Sequence, residues 1–497
     1  MIENLWFGLT VAATPENLLF CLIGVLLGTA IGVLPGVGPV ATISLLLPIT
    51  FGMSATTAII MLSGIYYGAQ YGGSTTSILM NLPGEVSSVI TTIDGYQMAR
   101  NGQAGPALAV AAIGSFIAGT LATILVAAFS PVLTEVALKF GPADYFSLMF
   151  LGLVVSAVLT EGSVLKSIGM VVLGVALGLV GTDVQTGQQR FTFNIPELSD
   201  GIGFVPLAMG MFGIAEIIRN LEMPEARSTL SGKIGRLYLN KEEWKRVFAP
   251  IMRGTALGSV IGILPGGGAS LAAIGAYTLE RRISKNKHLF GKGAIEGVAA
   301  PESANNAAAQ TSFIPLLTLG IPANAVMALM VGALIIQGIQ PGPRMIEAQP
   351  ELFWGLIVSM WVGNLLLVVI NLPLVGMWVR LLKVPYDAMY PAILIFCCIG
   401  VYSLNNNVFD VLTTIVFGFL GYLFIRLGCQ PAPLLIGFVL GPMMEEHLRR
   451  AMLLSRGDWA VFVERPISAS LLALAAAAVL AMALPTLRKK KDAALAE

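Results

Sequence analysis

The chain has 497 residues, of which 56% are hydrophobic and 11% are charged, and its formal net charge is +1. Soluble domains carry roughly 25% charged residues, so this composition excludes a soluble globular protein and indicates a chain that crosses a membrane many times. The longest polar interval, residues 220–244, is too short to build a soluble core of its own.

Apolar runs of about 20 residues predict membrane-spanning helices. In the first half of the chain they lie near residues 17–34, 54–70, 106–130, 143–160, 164–181 and 203–218. In the second half they lie near 247–264, 322–339, 352–382, 388–404, 408–427 and 431–444, and a last run covers 467–487. We therefore predict an all-α polytopic membrane protein with about 10–12 transmembrane helices, supplemented by shorter re-entrant or broken helices.

Two of these runs break at a cluster of proline and glycine. The segments are Gly32-Val-Leu-Pro35-Gly36-Val-Gly38 and Gly262-Ile-Leu-Pro265-Gly266-Gly267-Gly268. At membrane depth, irregular backbone survives only inside protein or beside a water-filled cavity. Paired breaks at matching places in two halves therefore predict the binding site of a transporter. Carbonyl groups of the unwound backbone could bind a cation near Pro35, Gly36, Gly38, Pro265, Gly266 and Gly267.

The breaks belong to a longer internal repeat. Each is followed by a cluster of small and polar residues that ends in a proline turn, at Pro83 in the first half and at Pro322 in the second. Matching order over such a length predicts a duplication. We divide the chain into a first membrane repeat (1–220), a cytoplasmic linker (221–244), a second membrane repeat (245–450), and a C-terminal helix with a basic cytoplasmic tail (451–497).

Basic residues predict the orientation of the two halves, because lysine and arginine accumulate in short cytoplasmic loops. Residues 1–99 contain neither. The second break, by contrast, is flanked by Lys241, Lys245, Arg246, Arg253, Arg281, Arg282, Lys285, Lys287 and Lys292. The second hairpin should therefore open to the cytoplasm and the first to the outside, so that the repeats are inverted.

The polar clusters supply the candidate substrate-binding residues. They are Gln70, Gly72, Gly73, Ser74, Thr75 and Thr76 in the first half, and Asn305, Asn306 and Thr311 in the second. Hydroxyl and amide groups can replace the hydration of a carboxylate, and a helix that began at the serine and threonine run would direct its positive dipole end at an anion. The alternative is that these small residues only allow helices to pack closely.

Three charged side chains need separate interpretation. Glu302 lies beside an apolar segment, where an ionisable group is a candidate proton carrier or cation ligand. The alternative is a solvated loop carboxylate. Asp94 and Arg100 are predicted to be surface or structural charges. No resident cofactor and no metal are expected, apart from sodium or a proton as the coupling ion.

Other membrane functions are less favoured. The chain lacks a Gly-x-x-x-x-Gly-Lys-Ser/Thr segment, which argues against an ATP-driven pump. Tyr386-Asp387 superficially suits an aspartyl intramembrane protease, but no Gly-x-Gly-Asp partner is present. An ion channel would need one continuous pore and commonly builds it by oligomer symmetry, which an internal duplication does not require. A carrier that is not an enzyme is the preferred class, with an ion channel or an intramembrane enzyme as the alternatives.

Several long motifs identify a family resemblance. The chain resembles the large transmembrane subunit (TctA type) of the tripartite tricarboxylate transporter family over about residues 16–450. The motifs that carry the likeness are Gly32-Val-Leu-Pro-Gly-Val-Gly-Pro39, Tyr66-Tyr-Gly-Ala-Gln-Tyr-Gly-Gly-Ser74, Asn81-Leu-Pro-Gly-Glu85, Asp94-Gly-Tyr96, Pro301-Glu-Ser-Ala-Asn-Asn-Ala307 and Thr318-Leu-Gly-Ile-Pro322.

This resemblance implies a secondary, ion-driven importer in the bacterial inner membrane. Its implied partners are a small membrane subunit, a periplasmic solute-binding protein that delivers the substrate, and the lipid bilayer. No nucleic-acid partner is expected. The substrate is implied to be citrate or another organic carboxylate.

Overall fold

The computed structural model describes residues 1–34, 38–160, 162–183, 185–222, 234–266, 268–381 and 386–483. These residues are almost entirely helical. The described strands are a short antiparallel pair, β1 (Gly181–Thr182) and β2 (Gln189–Arg190). The predicted all-α fold class is confirmed.

The helices of the first half include two π-helical turns, at Ala99–Gln103 between α5 and α6 and at Met209–Ile214 between α9 and α10. A 3₁₀ turn, Leu47–Gly52, continues α3. The α-helices are α1 (Ile2–Ala12), α2 (Pro15–Val33), α3 (Pro39–Leu46), α4 (Ala55–Met80), α5 (Val89–Met98), α6 (Ala104–Ala137), α7 (Pro142–Leu159), α8 (Val164–Gly178), α9 (Phe204–Ala208) and α10 (Ala215–Glu222).

The second half begins inside the predicted linker, part of which (223–233) lies outside the described residues. Its helices are α11 (Lys241–Ile263), α12 (Gly268–Ile283), α13 (Glu296–Thr311), α14 (Phe313–Leu319), α15 (Ala325–Ile336), α16 (Met345–Ala348), α17 (Pro350–Asn371), α18 (Val375–Leu381), α19 (Tyr386–Asn405), α20 (Val408–Arg426), α21 (Ala432–Leu454), α22 (Val461–Glu464) and α23 (Pro466–Ala483). The basic tail also lies outside the described residues from 484 onward.

Six described segments are long and apolar enough to cross a membrane. They are Pro15–Val33, Val86–Ala137, Pro142–Leu159, Phe204–Glu222, Pro350–Asn371 and Val408–Arg426. Several shorter apolar helices accompany them, among them Pro39–Gly52 and Ala325–Ile336. The predicted run 352–382 is interrupted, because α17 ends at Asn371 and α18 starts at Val375. The count of ten to twelve spans stays a prediction.

The helices that lead into the two predicted breaks end with similar backbone geometry. Helix α2 ends at Leu34 with φ −81° and ψ 113°, and α11 ends at Leu264 with φ −77° and ψ 129°. Each leucine precedes a proline, whose ring disfavours helical backbone in the preceding residue. The helices after the breaks also end alike, since Asn81 (φ 60°) terminates α4 and Gly320 (φ 71°) terminates α14 in the left-handed conformation.

Glycine ladders join the broken helices to their neighbours. Glycines at every fourth position of α2 face α4, and glycines at the same spacing on α11 face α13. A methyl group on any of them would overlap a carbonyl oxygen across the interface, in the pairs Gly24–Met61, Gly28–Ile65, Gly32–Ala69, Gly254–Ala300, Gly258–Ala304 and Gly262–Ala308. Backbone can approach backbone this closely only where the side chain is a hydrogen atom.

The two halves exchange contacts reciprocally. Helix α6 of the first half packs on α13 of the second, and α17 of the second packs on α4 of the first. In the same way α8 packs on α21, and α20 packs on the π-helical turn before α10. Such crossed pairs are what an approximate two-fold relation between the halves produces. The domain boundaries and the inverted orientation of the halves in the membrane remain predictions.

An ionic cluster fastens the β1–β2 hairpin to α21. The guanidinium of Arg190 donates to Glu445 at 2.9 Å and also pairs with Asp183. Arg449 donates to Glu445 at 2.6 Å and to Asp183 at 2.9 Å. The hydrogen bonds from Arg190 and Arg449 lower the pKa of the Glu445 carboxyl below its ordinary value.

Replacing Gly258 by alanine should destabilise the α11–α13 pair, because the new methyl group meets the Ala304 carbonyl. Overpacking of this kind costs about 1–3 kcal/mol, so the thermal midpoint of the purified protein in detergent should fall. Gly169→Ala is the matched control, since Gly169 lies in α8 and has no atom near the added group. Equal midpoints for the two variants would contradict the ladder.

Replacing Glu445 by glutamine should remove a pH-dependent contribution to stability. Because the folded-state pKa of Glu445 is lowered, its contribution is present above the unfolded value of about 4.3 and is lost as pH falls through the folded value. The difference in thermal midpoint between wild type and Glu445→Gln should therefore be largest near pH 7 and shrink below about pH 4. A difference that stays constant with pH would show that Glu445 contributes only through packing.

Candidate functional site

The candidate site is built around Glu302 of α13, which lies at the contact between the halves. Its side chain is fully buried, with 0% of its surface exposed. The hydroxyl of Ser74 on α4 donates to Glu302 Oε2 at 2.5 Å. The hydroxyl of Thr91 on α5 donates to Glu302 Oε1. The alternative of a solvated loop carboxylate is wrong.

Neutral groups surround this carboxyl. Among the described residues, no lysine or arginine forms an ion pair with Glu302. An ionised carboxylate without a counter-charge costs several kcal/mol in a low-dielectric interior. The site therefore favours Glu302 either as a neutral acid or together with a bound cation.

The second-half amides lie beside Glu302. Asn306 Nδ2 has three acceptors within reach, at 2.7 Å from Ser115 Oγ of α6, 3.0 Å from the Glu302 carbonyl and 2.7 Å from Asn305 Oδ1. Asn305 is fully buried, and its Nδ2 has no hydrogen-bond partner in the described structure. A buried donor left unpaired is costly, so this amide is suited to meet an acceptor, either the neighbouring Glu302 carboxyl or a carboxylate oxygen of a ligand.

Gln70 connects Glu302 to a second buried carboxyl. The Ser74 hydroxyl also lies 3.0 Å from the Gln70 carbonyl. The side-chain oxygen of Gln70 accepts from Ser87 at 2.7 Å, and Ser87 also reaches Glu85. Gly73 makes room for Glu85, since an added Cβ there would lie 2.8 Å from Glu85 Cγ.

Glu85 is not among the site residues that the sequence predicts, although a signal for it is present. Glu85 lies two residues after Pro83, and Asn324 lies two residues after Pro322. Both begin the helical segment after the proline turn, and the Asn324 side chain caps α15. When the two repeats are aligned on Pro83 and Pro322, Glu85 lies opposite the capping residue Asn324, so the alignment singles out an acid at a helix start.

One predicted feature of the first cluster is wrong. Helix α4 runs without interruption from Ala55 to Met80, so the serine and threonine run lies near its C-terminal end and presents no helix N-terminus to an anion. Thr75 returns its hydroxyl to its own helix, 3.4 Å from the Tyr71 carbonyl. The dipole contribution expected at this run is therefore absent.

Three of the candidate substrate residues serve helix packing in this structure. Thr76 donates to the Val33 carbonyl at 2.6 Å and so satisfies the end of α2. Thr311 donates to the Ala307 carbonyl at 3.0 Å of its own helix and lies against Gly262. Gly72 allows α4 to approach the Thr29 carbonyl of α2.

The predicted break residues are placed only in part. Pro35, Gly36 and Gly267 lie outside the described residues. Gly38 begins α3, and Pro265 follows the end of α11. Gly266 has a positive φ of 75° and donates its N–H to the Ala323 carbonyl at 2.7 Å.

The proline turns after the polar clusters contact residues beside the two breaks. A Cβ atom added to Gly268 would lie 3.9 Å from Asn324 Cβ. The amide of Asn324 is 3.5 Å from the Tyr66 hydroxyl on α4. In the first half, Gly84 fits against the Gly32 carbonyl near the end of α2 and against Gly73. The end of α2 and the described residues of the second break thus each pack against the turn that follows the polar cluster of the same half.

Asp94 is a buried structural anchor, so the alternative of a surface charge is wrong. Its Oδ1 accepts the backbone N–H groups of Gly293 and Ala294, both at 2.8 Å. Its Oδ2 accepts from the Tyr277 hydroxyl of α12 at 2.9 Å. Asp94 therefore fixes α5, which carries Thr91, to the second hairpin and to the segment before α13.

Comparison with known families decides the class of protein. The family model of the tripartite tricarboxylate transporter TctA family matches residues 18–436. The chain belongs to this family. The matched region contains both breaks, both polar clusters and Glu302, and it ends inside α21, so α22 and α23 lie beyond it.

Two curated relatives from Agrobacterium vitis carry no assigned function. One, named an uncharacterized 52.8 kDa protein in the TAR-I ttuC' 3'region, is 61% identical over 497 residues, which is 100% of this chain and 99% of the relative. Another, named an uncharacterized protein in the TAR-II ttuC' 3'region, is 64% identical over 240 residues, which is 48% of this chain and 99% of the relative. No solved structure matches. TctA membership makes the chain a transporter component within a multi-pass membrane protein family.

Replacing Asp94 by alanine should destabilise this TctA protein, because it leaves the N–H groups of Gly293 and Ala294 without their acceptor. Each buried group left unsatisfied costs about 1–3 kcal/mol. The thermal midpoint in detergent should fall clearly. Thr92→Ala is the control, since the Thr92 hydroxyl returns to the Val89 carbonyl in the same helix. An Asp94→Ala midpoint equal to that of the control would contradict the role of Asp94 as a structural anchor.

Proposed function

We propose that the chain is the large membrane subunit of a cation-coupled importer of tricarboxylates or related organic carboxylates. It works in the bacterial inner membrane with a small membrane subunit and with a periplasmic binding protein that delivers the substrate. Family membership supports transport by this chain. The buried, uncompensated carboxyl of Glu302 is the observation that supports coupling to a cation.

Charge explains why such an importer needs a coupling ion. Moving an anion inward against the membrane potential costs about 2.3 kcal/mol per charge per 100 mV. A tricarboxylate carries up to three negative charges, so sodium ions or protons must accompany it. A carboxyl group buried without a basic partner can take up one positive charge and release it on the other side.

The hydroxyl of Ser74 links the state of Glu302 to substrate binding. Ser74 has one hydrogen and lies within hydrogen-bond distance of both Glu302 Oε2 and the Gln70 carbonyl. When Glu302 is ionised, it attracts that hydrogen. When Glu302 takes up a proton or a cation, its attraction for that hydrogen weakens, and the Ser74 hydroxyl is free to turn toward an anion. Binding of the cation then favours binding of the anion, and by thermodynamic linkage binding of the anion favours binding of the cation to the same degree.

Asn305 supplies a second contact for the anion. Its unpaired Nδ2 is a buried donor, and the residue lies one helical turn from Glu302 on α13. A substrate carboxylate would satisfy this donor while the Ser74 hydroxyl approaches from α4. The site therefore combines neutral donors for the anion with a carboxyl group for the cation.

Replacing Glu302 by glutamine should separate binding from coupling, because glutamine resembles the neutral acid in shape but cannot change its charge. Proteoliposomes that contain both membrane subunits and the cognate binding protein would be tested with labelled citrate and a panel of other carboxylates. Wild type should accumulate substrate under an imposed sodium or proton gradient. Glu302→Gln should lose accumulation about tenfold or more while retaining exchange of internal for external substrate.

Ser303→Ala is the matched control, because the Ser303 hydroxyl returns to the Ala299 carbonyl of its own helix. Wild-type accumulation by Glu302→Gln would overturn the coupling role of Glu302. Absence of saturable carboxylate flux in the wild type, or an ohmic current in its place, would overturn the proposed function itself.

A further inference from the structure

A small cavity lies between α4, α6 and α17, next to the Glu302 cluster. Ser74 and Thr75 of α4, Ser115 of α6 and Asn371 of α17 supply its polar lining, and leucine and alanine side chains supply the rest. The cavity has room for about one water molecule or an ion of that size. Ser74 and Ser115 belong to both the cavity and the cluster, so an occupant would lie one hydrogen-bond step from Glu302.

Asn371 presents an unpaired oxygen at this cavity. The residue is only 6% exposed, and its Nδ2 donates to the Leu367 carbonyl at 2.9 Å. That bond fixes the orientation of the amide, because the nitrogen must face the carbonyl. No donor from the described residues reaches Asn371 Oδ1. A buried acceptor of this kind indicates a missing partner.

The hydroxyl hydrogens of the other polar groups in the lining already form hydrogen bonds within the protein. The Tyr71 hydroxyl donates to Asn364 Oδ1 at 3.0 Å. Ser115 donates toward the Glu302 carbonyl at 3.3 Å and accepts from Asn306. Thr75 points its hydrogen toward the Tyr71 carbonyl. The cavity therefore offers oxygen lone pairs, and its occupant must supply positive charge or hydrogens.

We infer that this cavity binds a dehydrated sodium ion, with Asn371 Oδ1 as a ligand and with hydroxyl oxygens of α4 and α6 completing the set. Neutral oxygen atoms suit a hard cation. The nearby Glu302 carboxyl adds negative potential, which stabilises a cation more than a neutral water molecule. A dehydrated sodium ion is smaller than a water molecule, so it fits a space of this size.

The inference names the coupling ion, and for its purpose it rests on the proposed cation-coupled function. Sodium at this place would offset the charge of Glu302 without touching it, through the shared hydroxyl groups of Ser74 and Ser115. This site differs from the proline and glycine breaks, where the sequence predicts cation binding by backbone carbonyls.

The test uses the purified full-length protein in detergent, without any carboxylate. Its thermal midpoint is measured while sodium chloride replaces choline chloride or potassium chloride at constant ionic strength. Wild type should be stabilised by sodium in a saturable way, and much less by potassium. In Asn371→Leu, which removes the acceptor, the half-maximal sodium concentration should rise about tenfold or more.

Two further variants separate ligand loss from misfolding. Asn371→Asp keeps an oxygen acceptor and should retain the sodium response. Ala112→Leu fills the cavity but leaves Asn371 in place, and it should lose the response. A wild type that responds equally to sodium, potassium and choline overturns the inference and assigns the cavity to water. An unchanged sodium response in Asn371→Leu and Ala112→Leu overturns it as well.

Uptake assays distinguish this inference from the proposed function. Sodium stabilisation that disappears in Asn371→Leu, combined with no carboxylate uptake by wild type, supports the site and removes the function. Sodium-driven uptake that is unaffected by Asn371→Leu supports the function and removes the site.

Discussion

The requirement to pair backbone polar groups without water is the constraint on which this structure depends. A helix that stops at membrane depth leaves its last carbonyl groups without partners. In the first half, the hydroxyl of Thr76 binds the Val33 carbonyl at the end of α2. In the second half, the backbone N–H of Gly266, in the break itself, is paired with the Ala323 carbonyl beyond the proline turn. The Thr76 contact needs α4 to lie very close to α2, which the glycine ladder between these two helices permits.

The ladders also define how the two halves correspond. Ile65 matches Ala304 through the glycines that face them, and the same register matches Asn81 with Gly320 and Glu85 with Asn324. In this register Glu302 corresponds to Ser63, and Ser74 corresponds to Phe313. The duplicated backbone is therefore similar in both halves, whereas the polar residues on it are not. A carboxyl group on one side and hydroxyl groups on the other make one asymmetric site at the contact between the halves.

Helix α5 gives this site a mechanical connection to the second hairpin. It carries Thr91, which binds Glu302, and one turn later Asp94, which holds Tyr277 of α12 and the segment before α13. A change in the charge of Glu302 acts on a helix that is anchored to the hairpin. The chargeable group and the second hairpin are thus both hydrogen-bonded to the same short helix.

The sequence by itself determined the all-α membrane fold, most of the apolar helices, the two breaks and the family, because hydrophobic length, proline and glycine clusters and long motifs are local properties of a chain. It also selected Ser74, Glu302, Asn305 and Asn306, since polar groups in apolar surroundings stand out by composition. Only the tertiary structure decided that α4 is continuous past the serine and threonine run, that Thr76 and Thr311 serve helix contacts, and that Asp94 is buried. The partner of a hydroxyl or a carboxyl depends on which helices lie side by side. The tertiary structure likewise placed Glu85 at the site and Asn371 at the cavity, because the surroundings of both include residues from other segments of the chain.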